Sequence, residues 1–345
     1  MKTNHAPWEA VNGVLLLDKP RGLTSQQALF RVRRQLRAAK AGHGGTLDPL
    51  AEGLLILCFG AATKFAQRHL EADKRYTAVL QLGVRTTTED AEGEVLSRRP
   101  VQADRSRVDA VLASFVGAIK QTPPVYSALK KDGKPLYAYA RAGESVEAQA
   151  RTVVIHAITV GALQDERLTL DVHCAKGTYI RALARDIGEA LGCGAHLAGL
   201  RRTASGGFDV AQALTLDAVA TMPAAALQAA LLPADALLAA APRHDLDAAQ
   251  TERFLHGARL AGLTATVPAA QGEEVRVYGP LAAGQAPVFL GTGAWDGTVL
   301  APRRLLSADE FTAPASLASD GAGAPQSPHS FSQHCQAFHH QDATP

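Results

Sequence analysis

The sequence predicts an α+β fold that combines amphipathic helices with strands, several of which are paired with a neighbour in the chain. Residues 178–192, "TYIRALARDIGEALG", place Ile180, Leu183, Ala184, Ile187 and Leu191 on one face of a helix that Gly192 ends. Residues 152–163 and 167–176 have the pattern of a β-hairpin. Residues 53–60, "GLLILCFG", are apolar throughout, which is typical of a buried strand.

The remaining elements follow in order along the chain. A short strand, "GVLLLDK", leads into a turn at Pro20, Arg21 and Gly22, after which Thr24 or Ser25 caps a helix. Further predicted elements are a helix over 25–39, a short helix over 61–70, paired strands over 74–84 and 93–97, a helix over 106–117, a helical stretch near Pro135 after an extended loop that contains Pro123 and Pro124, and a strand over 195–208.

The length of 345 residues predicts about two domains. We expect a first domain over residues 1–244, in which the alanine-rich stretch 220–244 forms a helical connector. A small strand-rich domain follows over residues 245–310. Residues 311–345 lack periodicity and are rich in Ser, Pro, Ala and His, so they are predicted to be a disordered tail.

Composition narrows the class of protein. No run of eighteen apolar residues occurs and the N-terminus is a poor signal peptide, so we expect a cytoplasmic protein without a membrane span. The four cysteines are scattered and form no CxxC pair, so the sequence indicates neither a zinc knuckle nor a disulfide framework. Lys and Arg cluster at residues 31–40, 129–134 and 200–202, either to neutralise phosphates or as solvated surface.

Asp48 is the sharpest catalytic candidate, because it follows a loop, "GHGGTLDP", whose glycines permit close approach of the backbone to a ligand. It could be a nucleophile, a general base, a metal ligand with His43, or an ordinary turn-forming Asp before Pro49. The sequence contains no GxGxxG, P-loop or GxSxG motif. Tyr76 lies beside two cations and could stack on a base, or it could pack as an ordinary strand residue. Arg181 could pair with a carboxylate or be solvated.

Six segments together resemble the bacterial tRNA pseudouridine synthase B (TruB) family. They are "GVLLLDKPRGLTS", "GHGGTLDPLAEGLLILCFGAATKF", "KRYTAVLQLGVRTTTEDAEGEV", "QTPPVYSALKKDGKPLYAYARAG", "CAKGTYIRALARDIGEALGCGAHLAGLRRT" and "VFLGTGAWDGTVLAPRRLL". The match runs in order from about residue 11 to residue 307 and leaves out both ends of the chain.

The resemblance implies a pseudouridine synthase fold, with a mixed, mostly antiparallel sheet and flanking helices, followed by a small C-terminal PUA-like β-barrel. It also implies conversion of uridine to pseudouridine at position 55, in the T-loop of tRNA. The protein is then expected to act on the T-stem-loop as a monomer, with no cofactor, no metal and no obligatory protein partner. The alternatives are an RNA-binding or RNA-folding protein without catalysis and a synthase acting on another RNA.

The resemblance also assigns roles to residues. It implies that Asp48 is catalytic, that Tyr76 stacks on the uracil and helps to remove the C5 proton, and that Arg181 pairs with Asp48. The other residues that the resemblance places in substrate binding are Tyr179 and Leu200 in the uracil pocket, His43 in holding the RNA loop, and Lys19 and Lys64 in basic motifs beside the site.

Overall fold

The computed structural model describes residues 8–311, apart from residues 128, 132, 143, 145–147 and 264–271. The described residues form one compact unit. The predicted disordered tail lies outside the described residues, except for its first residue. None of the helices in the described ranges is long and apolar enough to span a membrane.

The strands and helices of the described chain are numbered here in chain order. The strands are β1 Gly13–Lys19, β2 Ala41–His43, β3 Ala51–Phe59, β4 Lys74–Leu82, β5 Val84–Thr86, β6 Val95–Arg98, β7 Gly117–Gln121, β8 Lys130–Lys131, β9 Lys134–Pro135, β10 Arg151–Gln164, β11 Arg167–Cys174, β12 Ala195–Ser205, β13 Phe208–Asp209, β14 Leu214–Thr215, β15 Arg243–Asp245, β16 Leu260–Ala261, β17 Glu273–Gly279, β18 Val288–Trp295 and β19 Val299–Leu305. The α-helices are α1 Ser25–Leu36, α2 Ala66–Leu70, α3 Arg105–Ala113, α4 Leu136–Arg141, α5 Ile180–Leu191, α6 Leu216–Thr221, α7 Ala224–Ala229 and α8 Ala248–Leu255.

A ten-stranded mixed sheet forms the body of the protein. Its order is β14-β1-β3-β12-β4-β11-β10-β7, with β13 beside β12 and β2 beside β3. Among the described strands of this sheet, only the β1–β14 and β3–β12 pairs are parallel. The predicted fold class, a mixed and mostly antiparallel sheet with flanking helices, is therefore confirmed. The sheet brings together β3, β4 and β12: β4 carries Tyr76, β12 carries Leu200, and Asp48 lies just before β3.

The sheet is covered on both faces, and this explains the continuous apolar runs of β1 and β3. Alternate residues of β1 point to opposite faces, so Leu15 and Leu17 pack with helices α1, α6 and α7. Val14 and Leu16 pack on the other face with the 3₁₀ segments Gly60–Lys64 and Ala234–Leu238. A third cluster lies between helices α3 and α5 and strands β4, β10, β11 and β12.

The C-terminal part is a five-stranded sheet of order β15-β17-β18-β19-β16, which is compatible with the predicted PUA-like barrel. It has its own apolar core, which includes Phe254, Trp295 and Leu300. Helix α8, which the strand-like pattern of this region does not predict, begins at a capping box in which Asp247 accepts a hydrogen bond from the Gln250 amide. Phe65 and Phe289 pack together, with ring centroids 5.4 Å apart, and so link this sheet to the body of the protein.

Candidate active site

Asp48 lies in the loop between β2 and β3, and both sides of that loop are anchored in the core. Leu47 and Leu50 are buried. Ser25, the first residue of α1, donates its hydroxyl to the Leu47 carbonyl (2.9 Å) and accepts from the Leu47 amide (2.7 Å). With its two leucine neighbours turned inward, Asp48 stays at the surface, and 44% of its side chain is exposed. The loop thus presents one carboxylate to solvent from a fixed backbone.

Arg181 forms an ion pair with the Asp48 carboxylate. It lies in the first turn of α5, its side chain is only 9% exposed, and its Nη2 is 3.0 Å from Asp48 Oδ2. The same guanidinium donates to the carbonyls of Tyr126 (2.8 Å) and Thr88 (3.3 Å). A cation in the first turn of a helix opposes the helix dipole, so anionic partners are needed to offset it. Arg181 is therefore not the solvated arginine that the sequence left open as an alternative.

Asp90 is the second anion at Arg181, and the sequence did not single it out. Its side chain is 4% exposed, and Oδ2 lies 3.6 Å from Arg181 Nη1. Its Oδ1 accepts from the Glu92 amide (3.0 Å) and from the Thr88 hydroxyl, so the carboxylate belongs to a tight turn. An Asp that accepts from the residue two positions later is common in turns, and this is why its sequence signal resembles that of any turn residue.

Tyr76 lies on β4 and is half-buried, in contact with two of the apolar clusters described above. Burial raises the pKa of its phenol, while Arg202 opposes the rise through its charge and through a hydrogen bond to the phenol. The Asp48 charge acts on Tyr76 in the same direction as burial. Tyr76 is therefore protonated at neutral pH, close to both Asp48 and a cation.

Arg202 is a further residue that the sequence analysis missed as a site component. It is 2% exposed and faces Tyr76 across the β4–β12 pair. It donates to the carbonyls of Leu54 (2.6 Å) and Gly45 (3.2 Å), and no carboxylate lies within ion-pair distance of it in the described part of the chain. Gly45 has a φ of +127°, which a residue with a side chain rarely adopts. Arg202 thus joins the backbone of the Asp48 loop to the Tyr76 hydroxyl.

His43, Tyr179 and Leu200 surround these residues. His43 ends β2, and burial, reinforced by the charge of Arg202, lowers its pKa, so the ring is neutral at physiological pH. Its Nδ1 is buried without a hydrogen-bond partner among the residues that the structure describes. Tyr179 precedes α5, with the Arg151 guanidinium 5.0 Å from its ring centre. Leu200 pairs with Ala51 and Ala78 and packs against the same two clusters as Tyr76.

Both predicted lysines have partners within the protein. The Lys19 side chain is fully buried and donates to the carbonyls of Leu23 (2.7 Å) and Pro20 (2.9 Å), so it stabilises the turn before α1. Burial lowers its pKa to about 8. Lys64 donates to the Leu305 carbonyl (2.9 Å) and to the Glu310 carboxylate, and so connects the body to the end of β19. Their predicted contacts with RNA stay predictions, and in this structure both ammonium groups bind protein atoms.

The arginines of the basic cluster at residues 200–202 also bind other parts of the protein. Arg201 forms ion pairs with Asp18 (2.7 Å) and Glu52 (3.4 Å), and Arg202 is buried, so the 200–202 cluster is not a free phosphate-binding surface. In the 31–40 cluster, Arg33 binds the carbonyls of Ala38 and Ala39, whereas Arg31 and Arg34 are exposed.

Three family models match this chain. Residues 33–180 match the family described as "TruB family pseudouridylate synthase (N terminal domain)", residues 181–239 match "tRNA pseudouridylate synthase B C-terminal domain", and residues 242–306 match "Pseudouridine synthase II TruB, C-terminal". The matched residues cover most of the chain.

Curated relatives and solved structures point the same way. The proteins named tRNA pseudouridine synthase B from Ralstonia pickettii and Ralstonia nicotianae are 55% identical over 307 residues and 56% identical over 305 residues, and each alignment covers 87% of this chain and 96% of the relative. A chain in the crystal structure of a Cbf5-Nop10-Gar1 complex is similar in fold, with a TM-score of 0.62 and 26% identity over 86% of this chain and 85% of that one. The chain therefore belongs to the TruB family of pseudouridylate synthases, which are isomerases.

Proposed function

We propose that this protein isomerises uridine to pseudouridine at position 55 in the T-loop of tRNA, with Asp48 as the catalytic carboxylate. The observation that carries the proposal is the half-exposed Asp48, whose carboxylate lies 3.0 Å from a buried Arg181 and whose charge acts on the phenol of Tyr76. Leu200 packs against the same apolar clusters as Tyr76. The names of the curated relatives support tRNA as the substrate class.

The reaction breaks the N1–C1′ bond of the nucleotide, turns the uracil and forms a C5–C1′ bond. Atoms and electrons balance within the substrate, so the chemistry needs no redox partner. An ionised carboxylate serves either of two routes, because it can attack C1′ or assist loss of the C2′ proton to give a glycal. The Arg181 guanidinium, 3.0 Å from Asp48 Oδ2, forms an ion pair with the carboxylate and holds it in place.

The uracil has to leave the T-loop stack before it can reach Asp48. Tyr76 offers a ring face for stacking and Leu200 an apolar contact, and both suit an uncharged base. We assign His43 to the RNA loop, because its unpartnered Nδ1 is a hydrogen-bonding atom that a nucleotide could satisfy. The C-terminal domain over residues 245–310 would contact RNA beside the catalytic domain over residues 1–244. We also propose that the protein acts as a monomer in the cytoplasm, without an obligatory protein partner.

Tritium release tests the proposal directly. A T-stem-loop RNA carrying tritium at uracil C5 should lose the label to water when it is incubated with the protein. Asp48→Asn nearly preserves the side-chain shape but removes the ionisable oxygen, so release should fall to background while RNA binding persists. Turnover of the variant within tenfold of the wild type would contradict the role of Asp48. Binding without any release by the wild type would favour an RNA-binding protein without catalysis.

A further inference from the structure

Three side chains that the proposed reaction does not use meet on the sheet face opposite Tyr76. His156 Nε2 lies 3.1 Å from Asp73 Oδ2, and His173 Nε2 lies 3.9 Å from the same oxygen. The two imidazole centroids are 4.6 Å apart. One ligand atom from each of the three residues can be chosen so that all lie within 4.8 Å of one another.

The backbone assembles this cluster from three elements. Asp73 immediately precedes β4, His156 lies on β10 and His173 on β11. The β10–β11 register shifts between Ile155 and Ala157, so His156 is the extra residue of a β-bulge. A β-bulge changes the direction in which a side chain points, and at this bulge His156 points toward Asp73 and His173. His173 pairs with Arg75, whereas the next pair along is Val172 with Tyr76. Successive strand residues point to opposite faces, so the cluster lies on the face of the sheet opposite Tyr76.

The distances suit a metal ion. Ligand atoms about 2.1 Å from a tetrahedral zinc ion lie about 3.4 Å from one another. The two separations from Asp73 bracket that value, so only small side-chain adjustments would be needed. Two imidazoles and one carboxylate favour late first-row transition metals over Mg²⁺ and Ca²⁺, which prefer ligand sets made of oxygen.

We propose that Asp73, His156 and His173 form a binding site for a divalent transition-metal cation of the zinc type. The three side chains are partly exposed, so the remaining coordination positions open to water.

The position of the site indicates a structural role. A bound ion would join β10 and β11 to the residue that precedes β4. The Asp73 carbonyl also accepts a hydrogen bond from the Gly206 amide (2.9 Å), just beyond β12. The ion would therefore fix the ends of strands that carry Tyr76 and Leu200 without touching the reacting atoms, and it should stabilise the fold without being needed for turnover.

Zinc titration of the full chain, previously stripped with EDTA, tests this site. Calorimetry should show one more bound ion for the wild type than for His173→Ala or His156→Ala. Saturating zinc should raise the Tm of the wild type by about 5 °C, as expected for an ion near a hundred times its Kd, and should raise that of the variants less. Cobalt should give a visible d–d band that the variants lack.

Two controls isolate the site. His256→Ala removes an exposed imidazole of the C-terminal part and should keep the stoichiometry of the wild type. The histidines and the cysteine beyond residue 328 are unchanged in every variant, so any zinc bound there cancels in the comparison. The proposal is overturned if His173→Ala and His156→Ala both bind as many zinc ions as the wild type with equal affinity. Tritium release by the stripped wild type is a separate readout of the isomerisation.

Discussion

Replacing Asp90 with Asn tests whether Arg181 needs both of its anionic partners. Asn keeps the size of the side chain and the oxygen that accepts from the Glu92 amide. It removes the charge 3.6 Å from Arg181 Nη1, and its amide can place a donor against the guanidinium. Arg181 would then be held by Asp48, which is half exposed, and by two backbone carbonyls.

The expected loss of stability can be worked out from the distance between the Asp90 and Arg181 charges. In an effective dielectric of about 20, unit charges 3.6 Å apart attract by about 5 kcal/mol. Desolvation of the two groups offsets much of that, and truncating one partner of a buried pair typically destabilises by about 3–5 kcal/mol. We expect the lower end, because Arg181 retains Asp48. A displacement of about 1 Å at a catalytic group can lower a rate about a hundredfold, and we expect a loss of that order here.

Single-turnover tritium release and urea denaturation measure the two effects. Asp90→Asn should react about a hundredfold more slowly and lose about 3 kcal/mol of unfolding free energy, with RNA affinity nearly unchanged. Glu94→Gln makes the same chemical change at an exposed acid in the same turn and should behave as the wild type. A rate for Asp90→Asn within threefold of the wild type, at unchanged stability, would refute the idea that Asp90 positions Arg181.

Arg202→Met should raise the Tyr76 pKa further and slow turnover about tenfold to a hundredfold, because the cation that opposes the burial effect is lost. The free energy of unfolding should change by less than about 2 kcal/mol, since the lost hydrogen bonds are offset by removal of an unpaired buried charge. Spectrophotometric titration, with Tyr76→Phe as the reference, measures the pKa of Tyr76. An unchanged pKa in Arg202→Met would exclude the contact between Arg202 and the Tyr76 phenol. His69 is buried beside Ser205, and burial lowers its pKa to about 4. The unfolded chain binds its proton near pH 6.5, so stability should fall by about 2 kcal/mol from pH 7 to pH 5; His69→Gln should lose less in urea denaturation, and equal losses would count against this assignment.

Local sequence patterns predicted much of this fold, because the spacing of apolar residues along the chain depends on the secondary structure that buries them. The α5 helix, the β10–β11 hairpin and the buried β3 strand lie within a few residues of their predicted bounds, since their apolar residues recur with the period of the element. The contact between Asp48 and Arg181, 133 positions apart in the sequence, came from the family resemblance alone.

The pair Arg201 and Arg202 shows where such patterns fail. The two residues are identical and adjacent on β12, so their side chains point to opposite faces. Arg201 reaches a half-exposed pair of acids, whereas Arg202 is buried against Gly45 and Leu54. Which of the two faces inward depends on the register with β3 and β4, and register is set by strands 120 residues or more away in the sequence.

The charges of the site also affect which chemical group can approach Asp48. Asp48 and Asp90 carry two negative charges, and Arg181 and Arg202 carry two positive ones, so the four groups sum to zero. Asp48 is the most exposed of the four, while the two guanidiniums are held by backbone carbonyls below it. A phosphate placed beside Asp48 would be repelled by the exposed carboxylate, whereas a neutral uracil would not. This arrangement favours a flipped base, with its phosphates outside the cleft, as the group that Asp48 meets.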